Sequence, residues 1–183
     1  MNGAIRAFAR KGFKETSMDE IASESGVSKG AIYWYYRSKD ELIMELMDTF
    51  FGSGMPELRA IVESSRPASL QLQDFLDLAV AETKKMMQFR PVLQELYVLA
   101  LRDNSIKKIT RKEFEAYHTI LESIIKKGIE GGEFKNVEPH HVANSIISLM
   151  EGTALMWSLG IKDIDVNEQL INGTNFIISA IKA

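Results

Sequence analysis

Cysteine is absent from the chain. Disulfides, thiolate nucleophiles, zinc ribbons and thiolate-held iron–sulfur clusters are therefore excluded. The absence also fits a reducing compartment. Proline is scarce, with four residues at 56, 67, 91 and 139, so long stretches run without a break. No apolar run approaches the ~20 residues that cross a bilayer. The start Met1-Asn2-Gly3-Ala4-Ile5-Arg6 has no secretory character. Alternating apolar–polar runs bounded by hairpin turns are missing, which argues against sheet. The expectation is a soluble, cytoplasmic protein with no membrane partner.

What is present is an ordinary globular mixture, 45% hydrophobic and 26% charged over 183 residues, which excludes a disordered or fibrous chain. The net charge of −3 speaks against nucleic acid as a partner of the whole chain. Its distribution reads differently. Residues 1–39 carry an excess of three positive charges, and the remainder an excess of six negative ones. Any polyanion contact belongs to the first fifth of the chain.

Apolar residues recur at helical spacing throughout, which predicts an all-α fold of about nine helices. The first covers about 2–11 and closes at Lys11-Gly12, where glycine tolerates a left-handed backbone. Ser17-Met18-Asp19-Glu20 is a capping box that opens a second helix, to about 25. Gly26 makes a turn, with Val27 expected to plug the gap between helices. Ser28 caps a third helix over about 29–36. Ser38-Lys39-Asp40-Glu41 opens a fourth, bent or interrupted at Gly52-Ser53-Gly54-Met55-Pro56 before it resumes towards Glu63. Further helices are expected at about 69–88, 91–102, 107–130, 139–159 and 166–182, the last opened by Asp165-Val166-Asn167-Glu168.

Residues 18–36 have the size of a helix-turn-helix. The third helix reads Lys29-Gly30-Ala31-Ile32-Tyr33-Trp34-Tyr35-Tyr36, with Ile32 and Tyr36 facing inward. A soluble protein seldom exposes so many aromatics on one short helix without a partner. Gly30 and Ala31 permit close approach to a major groove, Lys29 can donate to guanine, and the Ala31 methyl can meet a thymine methyl. Tyr33 and Tyr35 suit phosphates. Lys39 beside an open helix N-terminus offers another phosphate site. Ser28 and Trp34 complete the expected face.

Gly12-Phe13, Thr16-Ser17-Met18-Asp19-Glu20-Ile21-Ala22, Gly26-Val27-Ser28-Lys29-Gly30-Ala31-Ile32-Tyr33-Trp34-Tyr35-Tyr36 and Ser38-Lys39-Asp40-Glu41-Leu42 together resemble the DNA-binding domain of TetR-family transcriptional regulators, over about residues 3–46. The resemblance implies a DNA-binding domain at 1–46 and a ligand-binding and dimerisation domain at 47–183. It implies a homodimer on double-stranded operator DNA, and in many members a repressor released by a small ligand. By position, Lys29, Gly30 and Ala31 resemble base-reading residues. Tyr33, Tyr35 and Lys39, with Thr16 and Ser17, resemble phosphate contacts. Threonine is frequent in the family at the position of Ala31, so readout there is limited to apolar contact. Members also carry further residues ahead of the equivalent of Asn2, and contacts from such an arm are not expected here.

Other motifs compete. Gly26-Val27-Ser28-Lys29-Gly30 matches a hydrolase nucleophile elbow, but that needs a preceding strand. Glu115…His118 and Glu138…His141 have the Glu-x-x-His spacing of helical-bundle metalloproteins, with Glu82, Glu95 and Glu151 as possible completing ligands. That is the alternative function; otherwise neither cofactor nor metal is expected. The helices at 139–159 and 166–182 present Ile146, Met150 and Leu155, and Ile171, Phe176 and Ile177, for a dimer seam, with Gly152 allowing close approach. Met86, Phe89, Tyr97, Tyr117 and Trp157 are candidate apolar walls of an effector pocket, with His118 and Glu151 as its polar groups.

Overall fold

The computed structural model describes residues 1–52, 54–87, 89–161 and 164–183. Ser53, expected in a break, and Gln88, expected at a helix end, lie outside the described residues. Among the described residues ten α-helices follow one another: α1 (Asn2–Glu15), α2 (Met18–Ser25), α3 (Lys29–Tyr35), α4 (Lys39–Met47), α5 (Met55–Glu63), α6 (Ala68–Met87), α7 (Arg90–Arg102), α8 (Asn104–Glu130), α9 (Pro139–Ser158) and α10 (Val166–Ile181). One wider, π-helical turn over Asp48–Gly52 follows α4. The extra helix relative to expectation arises because the fourth is broken in two. Among the described residues there is no strand, only an isolated bridge between Phe134 and Lys182.

Local chemistry sets the ends. Gly12 breaks α1 at φ 77°, and Gly26 ends α2 at φ 67°. Both lie in the left-handed region that costs glycine least. Ser17 and Glu20 form the full reciprocal capping box. At α4 only half of the box forms. The Ser38 hydroxyl accepts from Glu41 N, while the Glu41 carboxylate accepts from Arg37 N at 2.7 Å. Asp165 caps α10 through Glu168 N. The Asp103 carboxylate accepts from Ser105 N and Ile106 N, which starts α8 earlier than its apolar periodicity suggests.

The chain forms two compact units. One joins the chain up to Gly52 with Lys85–Arg111; the other joins Gly54–Lys84 with Lys112–Ala183. In the first, Phe8, Phe13, Ile21, Leu42, Leu46 and Met47 share a core with Val92 and Leu96 of α7. The Glu95 carboxylate accepts from Phe13 N at 3.3 Å, just past the break at Gly12. Glu95 thus ties α7 to the end of α1 instead of joining a carboxylate–histidine set.

In the second unit, Leu58, Leu72, Phe75, Leu121, Ile124, Ile125 and Ile146 form the core. A Cβ on Gly173 would fall 2.6 Å from Leu149 Cδ2, so α10 crosses α9 there. A Cβ on Gly152 would meet nothing within 4 Å, so the close approach expected at Gly152 occurs at Gly173 within this chain. Glu133 caps the start of α6 by accepting from Ala68 N and Ser69 N. Those bonds, the Ser69 hydroxyl first among them, hold the Glu133 carboxyl below its usual range.

Candidate nucleic-acid interface

α3 has seven residues, of which Ile32 alone is buried. Ile21 and Ala22 of α2 join it in the core. With that side turned inward, the opposite side faces out. Trp34 is 79% exposed, Tyr35 69% and Tyr33 44%. The Trp34 and Tyr35 rings meet edge to face at 4.8 Å. Tyr36 turns back onto the core. Its phenol pKa is pushed up to about 12 by burial and by the Glu45 carboxylate. A Cβ on Gly30 would meet nothing within 4 Å, so the surface beside it is open to another molecule. Ser28 accepts from Ala31 N at 3.1 Å and fixes the start of α3.

Lys29 is exposed, and its ammonium lies 2.7 Å from an Asp19 carboxylate oxygen of α2. That contact raises the Lys29 pKa. Contact with a base or phosphate must exchange this partner. The Ser17 hydroxyl is exposed but serves the capping box.

Three expectations meet different geometry. Val27 does not plug the gap between helices; it is 46% exposed, and Ile21, Ala22 and Ile32 supply the apolar contact instead. Thr16 is buried, and its hydroxyl donates to Gly12 O at 2.7 Å. The Lys39 ammonium donates to the carbonyls of Phe13, Lys14 and Thr16 at 2.6, 3.0 and 3.0 Å. Lys39 neutralises the carbonyl-rich end of α1 and joins it to α4, as a cation at a helix C-terminus does. As placed here, the Thr16 hydroxyl and the Lys39 ammonium point to internal partners, not outward to a phosphate.

The chain matches two family models. Residues 1–46 match the "Bacterial regulatory proteins, tetR family" model. Residues 68–175 match the "BetI-type transcriptional repressor, C-terminal" model. The chain belongs to the TetR family of transcriptional regulators. Among similar proteins, the HTH-type transcriptional regulator YfiR of Bacillus subtilis (strain 168) is 28% identical over 142 residues, 76% of this chain and 68% of that protein. SmeT, repressor of the Stenotrophomonas maltophilia multidrug efflux pump SmeDEF, superposes with a TM-score of 0.83 at 15% identity, covering 100% of this chain and 88% of its own. A transcriptional regulator from Saccharomonospora viridis in complex with choline gives 0.84 at 18% identity, covering 100% and 95%. As a TetR-family member the chain is a DNA-binding transcriptional regulator of all-α fold, and the metalloprotein alternative is not favoured.

The candidate effector residues of this TetR-family chain fall into both units. Met86 and Phe89 pack on the core of the first, which also contains Tyr97. Tyr117, His118, Glu151 and Trp157 belong to the second. Tyr117 is pushed up to about 12 by burial and by the negative charges of Glu113, Glu82 and Glu151. Its hydroxyl stays protonated at neutral pH. The joint influence of Glu82 and Glu151 on Tyr117 is invisible in the sequence, because α6 and α9 bring them from far along the chain, whereas Glu113 stands one turn before Tyr117 on α8.

Proposed function

We propose that α3 is the recognition helix of a homodimeric repressor that reads a palindromic operator and is released by a small effector. The exposed face of Lys29, Gly30, Tyr33, Trp34 and Tyr35, opposite the single buried Ile32, is the observation that carries this reading. Small residues and a cation at the start of such a helix suit base edges, and phenols further along suit phosphates. Ser17 and Ser28 stand at helix starts beside this face, and Ala31 adds a methyl for apolar contact. The residues up to 46 act as the DNA-binding domain, and 47–183 serve effector binding and dimerisation. The dimer forms through α9 and α10. Leu155, Met156, Ile171 and Phe176 support this by their exposure, and the open space at Gly152 supports close approach by a second copy. Ile146 is buried in the unit's own core and is not part of that face.

The test is titration of fluorescent DNA from the regulator's own promoter region at several salt concentrations. Lys29→Ala is expected to weaken the specific site by about 1–3 kcal/mol and to relax sequence preference. Tyr35→Phe is expected to weaken all sequences about equally. Equal binding by both variants and the parent would overturn the assignment of α3.

The negative charges of Glu113, Glu82 and Glu151 that act on Tyr117 favour an effector with a cationic or donor group, because a partly buried carboxylate gains most from a charged partner. The choline named for the Saccharomonospora viridis regulator is a cation of this kind. Glu151→Gln is expected to weaken quaternary ammonium dyes by about tenfold, the scale of one charge-assisted contact, and to leave fatty acyl compounds unchanged. Tryptophan quenching and thermal shift read both. An unchanged dye affinity removes Glu151 from the effector site.

A further inference from the structure

His118, expected in a Glu-x-x-His pair with Glu115, meets instead Glu122 and His140, the residue before the histidine expected in the second pair. His118 and Glu122 stand one turn apart on α8, so they share a face. Pro139 opens α9, and its first turn brings in His140. One ligand atom from each of His118, Glu122 and His140 lies within 4.8 Å of the others. The His118 and His140 ring centroids are 4.5 Å apart. His118 Nδ1 lies 3.5 Å from Glu122 Oε2. His118 Nε2 is buried and makes no hydrogen bond. A buried ring nitrogen without a partner is costly, and coordination of a cation by Nε2 would supply one.

We propose that His118, Glu122 and His140 bind a divalent transition-metal ion of zinc type. Two imidazoles and one carboxylate are a zinc ligand set, with a fourth position left to water. Hard cations such as magnesium and calcium prefer oxygen donors throughout. Tetrahedral zinc with 2.0–2.1 Å bonds holds its ligand atoms about 3.4 Å apart. The required closure is therefore small, and His140, being exposed, has the freedom to supply it. Lys126, 3.7 Å from Glu122 Oε1, is an exposed neighbour one turn on and gives way to the ion. Neither Glu115 nor Glu138 takes part, so this is not the ferritin-like arrangement. Bound metal pins α8 to the first turn of α9.

The experiment uses the full chain without a polyhistidine tag, stripped with EDTA and titrated with zinc chloride alone by calorimetry. Cobalt(II) absorption reports coordination geometry. Expected are one ion per chain, tetrahedral cobalt bands, and affinity at least about tenfold weaker in His118→Ala, His140→Ala and Glu122→Gln. His141→Ala should bind as the parent does, because His141 lies outside the cluster while sharing the same exposed turn. Circular dichroism of the metal-free variants checks that each folds; the exposed His140 is the position whose removal the fold tolerates best. Absence of stoichiometric zinc binding at micromolar concentration overturns the site. So does binding that survives His140→Ala, or that His141→Ala weakens equally.

Discussion

Phe8→Ala should destabilise the DNA-binding unit by about 3–5 kcal/mol. Phe8 has no exposed surface, and its ring centroid lies 4.4 Å from that of Phe13. The surrounding core draws on α1, α2, α4 and α7. No single element can move to fill the space, so the cavity persists and its cost adds to the lost burial. Small domains are stable by about 5–15 kcal/mol, so a large part of the unit's margin disappears. Urea unfolding followed by circular dichroism should show an early transition absent from the parent, with operator affinity falling alongside. Trp157 belongs to the second unit, and its fluorescence transition should stay in place. A midpoint change worth less than about 1 kcal/mol would mean that the core collapses around the gap far better than large-to-small substitutions normally allow.

Phe176→Arg should give a monomer and reduce operator affinity by about 10²–10⁴-fold, the avidity lost when two linked heads become one. Phe176 is 79% exposed on α10, so the substitution spares the protomer's core, and a charge placed in an apolar seam has no partner. The residue matters to the design of the test. Ile177, spaced for the same seam, packs against the core of its own unit, and a charge there would confuse misfolding with dissociation. Sedimentation at micromolar concentration, with calorimetric melting as a control, reads both effects. A variant that sediments with the parent as a dimer would remove α10 from the seam.

The helices of the recognition motif were legible because their signals are local. A cap and its partner stand three residues apart, as at Ser17 and Glu20, and a turn glycine announces itself at Gly26. Residues whose partners lie far along the chain were not legible. Lys39 finds carbonyls 23 to 26 residues away. Phe13 finds Glu95 at a separation of 82, and the start of α6 finds Glu133 at 64 or 65. Periodicity told that α9 and α10 have apolar faces. It could not divide each face between the chain's own core and a second copy, so Ile146 and Leu155, both expected in the seam, ended buried and exposed respectively. In the sequence, His118 and His141 carry the spacing to Glu115 and Glu138, while His140 carries no such signal. The meeting of His118 with His140 depends on α8 and α9 coming together, which no local pattern records.

The sharing of one core by α1, α2, α4 and α7 bears on how such regulators can be recombined. A cut at residue 46 removes Val92 and Leu96 from beneath Phe8 and Phe13, and leaves Phe13 N without the Glu95 carboxylate. A chimera that joins residues 1–46 to the remainder of another regulator would thus inherit a head with part of its floor missing. The exchangeable module is discontinuous, comprising the first 52 residues with 85–111. With α3 as the recognition helix proposed above, substitution within α3 would alter operator preference while leaving this discontinuous core intact.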